Sequence, residues 1–383
     1  MVIALVALLV IGLAVFLLLR QPGAPTVGPA PAPVGSPQPI AEGGLWEVAF
    51  TTPLIPDDPA RHHGGLDERL VALMERATRT LDVADYDFDL ADVGQAMARA
   101  AGRGVRVRMV TDSDTLDNTK DAQVQAAFKT LKEAGIPIVP DGRPPIMHNK
   151  FSVVDGEWVE TGSWNYTDGD TYRLNNNLAI FHSKELAENY TAEFEKMFVQ
   201  RKFGPAKPKG VPHPTLELGG MRLENYFAAE DGVAARIADQ VSRAQRKVHF
   251  LAFSFTHDGI GGAIQARKAA GLEVQGVFET TGSNTPFSEY TKMKQAGLDV
   301  YQDGSPYVMH HKVILLDDRV TIFGSFNFSQ NADRDNDENL LIVDDPQFAA
   351  QFEQEFQRVL ALAKNPPARK LPVDERTERQ RKP

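Results

Sequence analysis

The sequence predicts an α/β fold made of two duplicated lobes, each a mixed, mostly parallel sheet flanked by helices. Strand-like and helix-like patterns alternate along the chain, as they do in βαβ units. The same order of elements occurs once in each half of the chain. A polar motif then follows in each half, in "IMHNKFSVVDGEWVETGSWNYT" from Ile146 and in "VMHHKVILLDDRVTIFGSFNFS" from Val308.

Within the N-terminal segment 1–20, residues 1–19 are an unbroken apolar run of about the length that spans a bilayer. A cleaved signal peptide is the alternative, but such a peptide has a positively charged start and a shorter apolar core. No Lys or Arg precedes this run, and Arg20 follows it. We therefore predict an uncleaved transmembrane anchor and a membrane-anchored protein of a bacterial-type cell envelope. A single charge leaves the side of the membrane open.

The first half of the body contains apolar residues at helical spacing in three segments and strand-like apolar runs in three others. In chain order these are "GLDERLVALMERATRT", "LDVADYDF", "DVGQAMARAAGRG", "VRVRMVTD", "DAQVQAAFKTLKEAG" and "IPIVPD". The second half repeats this order of helix and strand in "DGVAARIADQVSRAQ", "KVHFLAFSF", "GGAIQARKAAG", "LEVQGVFE", "SEYTKMKQAG" and "LDVYQD". Each half ends with an amphipathic helix, "ELAENYTAEFEKMF" or "PQFAAQFEQEFQRVL". A repeat of this size indicates a duplicated lobe.

Changes in composition divide the chain into six segments. Stretches rich in Pro, Ala and Gly predict linkers, and the polar, basic C-terminal end predicts a disordered tail. The predicted segments are an anchor at 1–20, a linker at 21–44, a first lobe at 45–203, a linker at 204–220, a second lobe at 221–363 and a tail at 364–383.

The composition excludes several kinds of site. The chain has 383 residues and no cysteine, which excludes disulfides, thiolate nucleophiles and cysteine metal sites. Its formal net charge is −10, whereas nonspecific nucleic-acid binding depends on Lys and Arg that neutralise phosphates. An acidic chain can still contain a small basic cleft, so the charge alone does not decide the substrate.

The two polar motifs share every internal spacing. A single His-x-Lys arises often by chance, but two matched copies in a duplicated chain are a specific signal. The matching positions are His148, Lys150, Asp155, Gly162, Ser163 and Asn165 in the first half and His310, Lys312, Asp317, Gly324, Ser325 and Asn327 in the second.

These motifs resemble those of the phospholipase D superfamily, which is marked by paired H-x-K-x4-D motifs that are each followed by G-S-x-N. The resemblance covers residues 45–362. It implies a phosphodiester-cleaving enzyme with one active site between the two lobes and with no metal or other cofactor.

The residue types suit phosphoryl chemistry on their own terms. Side chains alternate along a strand, so His148 and Lys150 point the same way, as do His310 and Lys312. One imidazole can attack phosphorus, and the other can protonate the leaving oxygen and then activate water. By resemblance, His148 is the nucleophile and His310 the acid and base, although the residues alone leave the reverse open. The lysines are joined as donors to the phosphate by Ser163, Asn165, Ser325 and Asn327.

Two further pairs of residues complete the predicted site. Asp155 and Asp317 belong to the motif and to the predicted catalytic set, but their position before a turn favours a structural role. Glu338 lies where the family carries a carboxylate that steadies a catalytic histidine. The matching position of the first half is Asn176, an amide that can bind an imidazole ring but cannot stabilise its positive charge. We therefore expect one histidine to be less activated than the other.

The predicted function is a membrane-tethered phosphodiesterase of phospholipase D type that hydrolyses phospholipid headgroup esters. Alternatives are a metal-independent nuclease, a cardiolipin-synthase-like phosphatidyl transferase and a non-catalytic scaffold. The predicted partner is a phospholipid membrane as substrate, with nucleic acid as the alternative. No obligate protein partner is implied, so we expect a monomer. The sequence does not specify the headgroup.

Overall fold

The computed structural model describes residues 44–117 and 119–367 and forms two sheets flanked by helices. The strands of the described residues are β1 Trp46–Phe50, β2 Thr80–Asp85, β3 Arg106–Thr111, β4 Ile138–Pro140, β5 Lys150–Val154, β6 Trp158–Gly162, β7 Asn177–His182, β8 Thr215–Leu218, β9 Met221–Ala228, β10 Lys247–Ala252, β11 Glu273–Phe278, β12 Asp299–Gln302, β13 Lys312–Leu316, β14 Val320–Gly324 and β15 Glu338–Asp344.

The helices cover the sheets, and several begin at Ser, Thr or Asp caps that accept hydrogen bonds from the first free amides. In the described ranges they are α1 Leu66–Glu75, α2 Ala91–Gly102, α3 Ser113–Asp117, α4 Ala122–Glu133, α5 Asp168–Tyr172, α6 Lys184–Phe198, α7 Val233–Arg243, α8 Asp258–Ala269, α9 Thr280–Ser283, α10 Glu289–Gln295, α11 Gln330–Arg334 and α12 Pro346–Lys364. Short 3₁₀ turns occur at Pro59–Arg61 and Gly204–Ala206.

The two sheets share one plan, which confirms the predicted α/β class and the duplication. The first has the order β1-β7-β6-β5-β2-β3-β4, and the second has the order β12-β11-β10-β13-β14-β15-β9-β8. Among the strands of the described ranges, parallel pairs occur within β2–β3–β4 and β10–β11–β12, and the other strand pairs are antiparallel. The sheets are therefore mixed, as predicted. Most of their strand pairs are antiparallel, however, whereas the sequence led us to expect mostly parallel pairs. The reason is that the motif strands follow one another through short connections, which cannot form a parallel crossover.

Tight turns connect the first two motif strands in each lobe. Between β5 and β6, Asp155 has a φ of 55° and Gly156 a φ of 68°. Between β13 and β14, Asp317 and Asp318 have φ values of 56° and 61°. Two successive residues with positive φ make a type I′ turn, whose twist matches that of the flanking strands. These turns set the register that brings each Gly-Ser pair beside its own His-x-Lys.

One hydrophobic core joins the two lobes. It includes Phe151 and Phe194 of the first lobe together with Phe323 and Phe352 of the second, all at most 1% exposed. The helices α6 and α12 supply much of this layer. Separating the lobes would expose these rings to water, and burying one such side chain contributes about 1.5–3 kcal/mol. The lobes therefore hold each other in a fixed arrangement.

A buried ionic cluster anchors the connection between the lobes. Lys207 lies in the segment predicted as a linker, and its Nζ is 2.8 Å from Asp337 Oδ1 and 3.3 Å from Glu230 Oε2. Its ammonium also donates to Glu193 of α6. Burial alone would lower the pKa of Lys207, but the three carboxylates raise it above its ordinary value. The same predicted linker also contributes β8 to the edge of the second sheet.

The predicted membrane-anchored localisation requires a correction. Among residues 44–117 and 119–367, no helix combines the length and apolar character needed to cross a bilayer. The predicted anchor at 1–20 and nearly all of the predicted linker at 21–44 lie outside the described residues, as do residues 368–383 of the predicted tail. We therefore withdraw the membrane-anchored localisation.

Replacing Lys207 with methionine should lower the free energy of unfolding by about 3–5 kcal/mol, because three buried carboxylates would lose the cation that they share and keep only Lys196 and Arg143 beside them. Urea denaturation followed by circular dichroism measures this loss. Lys209→Met is the matched control, since Lys209 is exposed two residues further along. The control should change the free energy by less than about 0.5 kcal/mol. Equal effects of the two substitutions would contradict the anchoring role of Lys207.

Candidate active site

Each motif begins at a point where the two lobes pair with each other. The amide N–H of His148 donates to the carbonyl of Asp337 at 2.9 Å, and that of His310 donates to the carbonyl of Asn175 at 3.0 Å. The residue before each histidine forms a parallel bridge to the opposite lobe. The backbone of one lobe therefore fixes where the histidine of the other lobe enters the cleft.

The glycine of each Gly-Ser pair is required by a close approach of the backbone. A Cβ added to Gly162 would lie 2.2 Å from the carbonyl oxygen of Asn177, and one added to Gly324 would lie 2.4 Å from that of Asn339. Both distances are far below van der Waals contact, so any larger residue would push the strands apart. The following serine is thereby held against the start of β7 or β15.

His148 is fixed by a carboxylate from the second lobe. Its Nδ1 lies 2.7 Å from Glu338 Oε2, and the same oxygen accepts a hydrogen bond from Ser325 Oγ at 2.7 Å. The ring of Tyr86 packs edge-on against the imidazole, with 5.2 Å between the ring centroids. Because Nδ1 is engaged by the carboxylate, Nε2 is the ring nitrogen that can meet a ligand.

His310 occupies the matching place in the second lobe, but an amide faces it. Its Nδ1 lies 2.9 Å from Asn176 Oδ1, which also accepts from Ser163 Oγ at 2.8 Å. Phe253 packs edge-on against this ring at 4.7 Å. The structure adds a group that the motifs do not reveal, since Asp170 Oδ1 is 3.3 Å from the same Nδ1.

The two motif lysines form a buried pair of positive groups. Lys150 Nζ donates to the carbonyl of His148 at 3.0 Å, and Lys312 Nζ donates to the carbonyl of His310 at 2.7 Å. The lysines are 0% and 1% exposed. An ammonium has three N–H groups. Within the described part of the chain, Lys150 and Lys312 each use one of them, in the hydrogen bond just given. Two donors on each lysine therefore remain for an anionic ligand.

Burial, and after it the crowded positive charge, shifts the pKa values of the site. Burial, followed by Lys150 and Lys312, lowers the pKa of His148 well below its usual range. Burial, followed by Lys312, lowers the pKa of His310 to about 3. Burial raises the pKa of Glu338 to about 8 against the opposing effect of Lys150. The lysines also have lowered pKa values, first through burial and for Lys312 next through Lys150. A bound phosphodiester anion would relieve this repulsion.

The two asparagines of the Gly-Ser-x-Asn motifs differ in burial. Asn165 is buried, and its Nδ2 donates to Asp170 Oδ1 at 3.2 Å. Asn327 occupies the matching place of the second lobe and is half-buried. In the first lobe, the motif asparagine therefore supports a carboxylate that itself faces His310.

The motif aspartates lie at the opposite end of their strands from the histidines. Asp155 accepts hydrogen bonds from the amides of residues 78–80 at distances down to 2.7 Å. Asp317 accepts in the same way from residues 245–247. The structure does not bring these carboxylates to the cleft. They tie each motif hairpin to the start of the neighbouring strand.

Sequence reasoning missed two parts of the site and one buried contact of the core. The paired rings of Tyr86 and Phe253 occupy matching positions in the two halves, so an alignment of the halves could have found them. Asp170 aligns with Ala332, and this change in charge is a signal that could have been noticed. His311 carries no such signal, and only the fold shows its Nε2 2.8 Å from Glu355 Oε1 in the core.

Asp155→Ala should lower the free energy of unfolding by about 1–3 kcal/mol, because three backbone amides lose their acceptor. The expected phosphodiester turnover per folded molecule stays at the wild-type level, since the residue is remote from the histidines. Urea denaturation and initial rates measure the two quantities. Asp155→Asn is the matched control, because asparagine keeps an acceptor oxygen and tolerates positive φ. A large loss of turnover in the folded Asp155→Asn variant would argue for a direct catalytic role.

Comparisons with known proteins point to one family. A family model described as "Cardiolipin synthase, PLD-like domain" matches residues 70–198 and 237–360. A phospholipase D of Rickettsia felis is 28% identical over 163 residues, which are 43% of this chain and 82% of that protein. A mitochondrial cardiolipin hydrolase of Xenopus tropicalis is 32% identical over 148 residues, which are 39% of this chain and 67% of that protein.

A likeness to a solved structure supports the fold over both lobes. The crystal structure of phosphatidylserine synthase from Haemophilus influenzae Rd KW20 has a TM-score of 0.61 and 14% identity, and the match covers 82% of this chain and 86% of that one. The two matches to the family model fall one on each lobe, and each contains one complete copy of the polar motif. The chain therefore belongs to the phospholipase D-like domain family of phosphodiesterases.

Proposed function

We propose that this protein hydrolyses phospholipid headgroup esters through a phosphohistidine intermediate on His148. The observation that carries the proposal is that two imidazoles, each held through Nδ1 by a residue of the opposite lobe, lie near the same two buried ammonium groups. Such an arrangement accepts one phosphodiester anion and offers it a nucleophile and an acid. The names of the relatives, phospholipase D and cardiolipin hydrolase, support a lipid substrate.

In the first step, Nε2 of His148 attacks phosphorus and the bond from phosphorus to the leaving alcohol oxygen breaks. The ring becomes positively charged as the N–P bond forms. Glu338, 2.7 Å from Nδ1, stabilises that charge. The proton on Nε2 of His310 passes to the leaving oxygen, so the alcohol departs neutral.

In the second step, His310 is neutral and takes a proton from water. The resulting hydroxide attacks phosphorus, the N–P bond breaks, and His148 regains its lone pair. Lys150 and Lys312 donate to the phosphoryl oxygens in both steps, where negative charge is concentrated. Burial and Lys312 hold the pKa of His310 low, and the negative charge of a bound phosphodiester raises this pKa towards the protonated form that the first step needs.

Phosphatidyl transfer is the second candidate, and the description of the matching family model favours it. The same intermediate would pass its phosphoryl group to an alcohol in place of water. The two outcomes share the first step and differ only in the acceptor. A test with an alcohol present therefore separates them.

The purified full-length chain should release headgroups from labelled phospholipid vesicles with EDTA present. The panel comprises phosphatidylcholine, phosphatidylglycerol and cardiolipin, with single-stranded DNA as the competing substrate and glycerol as an added alcohol. Hydrolysis of lipid without cleavage of DNA is the expected result. A predominant glycerol adduct would identify a transferase, and cleavage of DNA alone would identify a nuclease. Absence of turnover on the whole panel would overturn the proposed function.

His148→Ala and His310→Ala should each lower kcat by at least about 10²–10⁴-fold, the usual contribution of one acid or base. A diester with a nitrophenol leaving group needs no proton, so it should restore the first step in His310→Ala only. Label from that substrate should then accumulate on His148, as acid-labile phosphohistidine detected by mass spectrometry. His63→Ala is the control, because His63 is exposed. Label on His310 in His148→Ala would reverse the assignment of roles.

A further inference from the structure

The two lobes place their supporting carboxylates at different positions in the repeat. In the second lobe, Glu338 begins β15 and Ala332 lies in α11. In the first lobe the matching residues are Asn176 and, in α5, Asp170. Each lobe thus keeps one carboxylate and one uncharged residue, but the two have exchanged places.

Asp170 lies close enough to His310 to act on its ring. Its Oδ1 is 3.3 Å from Nδ1 of His310, and it accepts a hydrogen bond from Nδ2 of Asn176 at 2.9 Å. The residue is 0% exposed. Asn176 therefore has two functions, since its oxygen accepts from the imidazole and its nitrogen holds the carboxylate behind it.

The carboxylate of Asp170 is held in a fixed position by its own segment. Its Oδ2 accepts from Thr167 Oγ1 at 3.0 Å, and its Oδ1 accepts from Asn165 Nδ2 at 3.2 Å. Thr167 also caps the helix that carries Asp170. A side chain with these partners has little freedom to leave the imidazole, so its charge acts at a constant distance.

We propose that Asp170 is the positioning residue that stabilises the protonated form of His310, and that Asp170 and Asn176 together replace the single glutamate of the other lobe. An opposite charge within about 4–6 Å favours the charged form of a titratable group, and burial strengthens the effect. This inference deepens the proposed function and rests on it, because it supplies the acid that protonates the leaving group. It also explains how an amide at position 176 is compatible with an active His310.

The charges that face His310 come from both lobes. Lys312, on its own strand, and Lys150, across the cleft, oppose protonation, whereas Asp170 favours it. Glu338 acts on both lysines, and Asp87 faces Asp170 from the first lobe. Removal of the Asp170 charge leaves both lysines in place. The pKa of His310 should therefore fall.

Three variants of the full-length chain test the inference. Asp170→Asn removes the charge and keeps the shape. The double variant Asp170→Ala/Asn176→Glu gives the first lobe the arrangement of the second. Asp168→Asn is the matched control, because Asp168 lies two residues away and binds His62 and Arg173 instead. Each variant is measured by the pH profile of kcat, by ¹⁵N NMR titration of the His310 ring with inorganic phosphate bound, and by thermal denaturation.

The direction of the expected change follows from the role of the acid. His310 must be protonated for the first step, so activity declines as the pH rises through its pKa. In Asp170→Asn, this alkaline limb should move to lower pH by about 1–3 pH units, and the NMR titration of His310 should move with it. The double variant should return both towards the wild-type position. Asp168→Asn should leave both unchanged.

A purely structural role for Asp170 gives a different pattern. Activity would then fall equally at every pH and in step with the melting temperature, and the pKa of His310 in the NMR titration would not change. This pattern would overturn the inference. Failure of the double variant to restore the alkaline limb, despite a normal melting temperature, would overturn the exchange of positions. If the wild type shows no turnover, the proposed function fails, and the NMR titration still decides whether Asp170 controls His310.

Discussion

Each motif imidazole of this protein is held by a residue from the other half of the chain. Nδ1 of His148 faces Glu338, and Nδ1 of His310 faces Asn176. The backbone hydrogen bonds that precede each histidine cross the same boundary. A lobe folded by itself would present its motif strand without the group that orients the ring. The chemistry of the site therefore depends on the packing of the two sheets against each other.

The site gathers charge among buried side chains, and this arrangement lowers the stability of the folded protein. Two ammonium groups and two imidazoles share the cleft, and burial disfavours the charged form of all four. The shared aromatic core and the buried ionic cluster around Lys207 act in the opposite direction. A cleft of fixed positive donors needs little reorganisation when a phosphodiester enters, and this is the condition for strong transition-state stabilisation.

Much of this arrangement could be predicted from the sequence, because it rests on local pattern. Periodicity predicted the helices and strands of both halves, and matched spacing identified the histidines and lysines. Local pattern also explains the turn position of Asp155, since an Asp-Gly pair favours a type I′ turn. The edge strand β8 was missed because its short run follows prolines and glycines, which are typical of a linker.

Contacts between the lobes could not be predicted, because they depend on how two similar sheets face each other. The motifs alone do not show that Glu338 contacts the histidine of the opposite lobe. Asp170 lies outside the His-x-Lys segment, and its approach to His310 exists only in the folded protein. The predicted sheets were mostly parallel for a related reason, since alternation of helix and strand does not reveal how the motif strands pair.

The exchange of a carboxylate between Asp170 and Glu338 has a consequence for how such a site can evolve. In an assembly of two identical subunits, every substitution appears twice, so both halves of a shared cleft must stay alike. Here both halves are encoded in one polypeptide, and either can change alone. The sequence of one half therefore does not constrain that of the other, and the two histidines can have unequal surroundings, as Asp170 and Glu338 show.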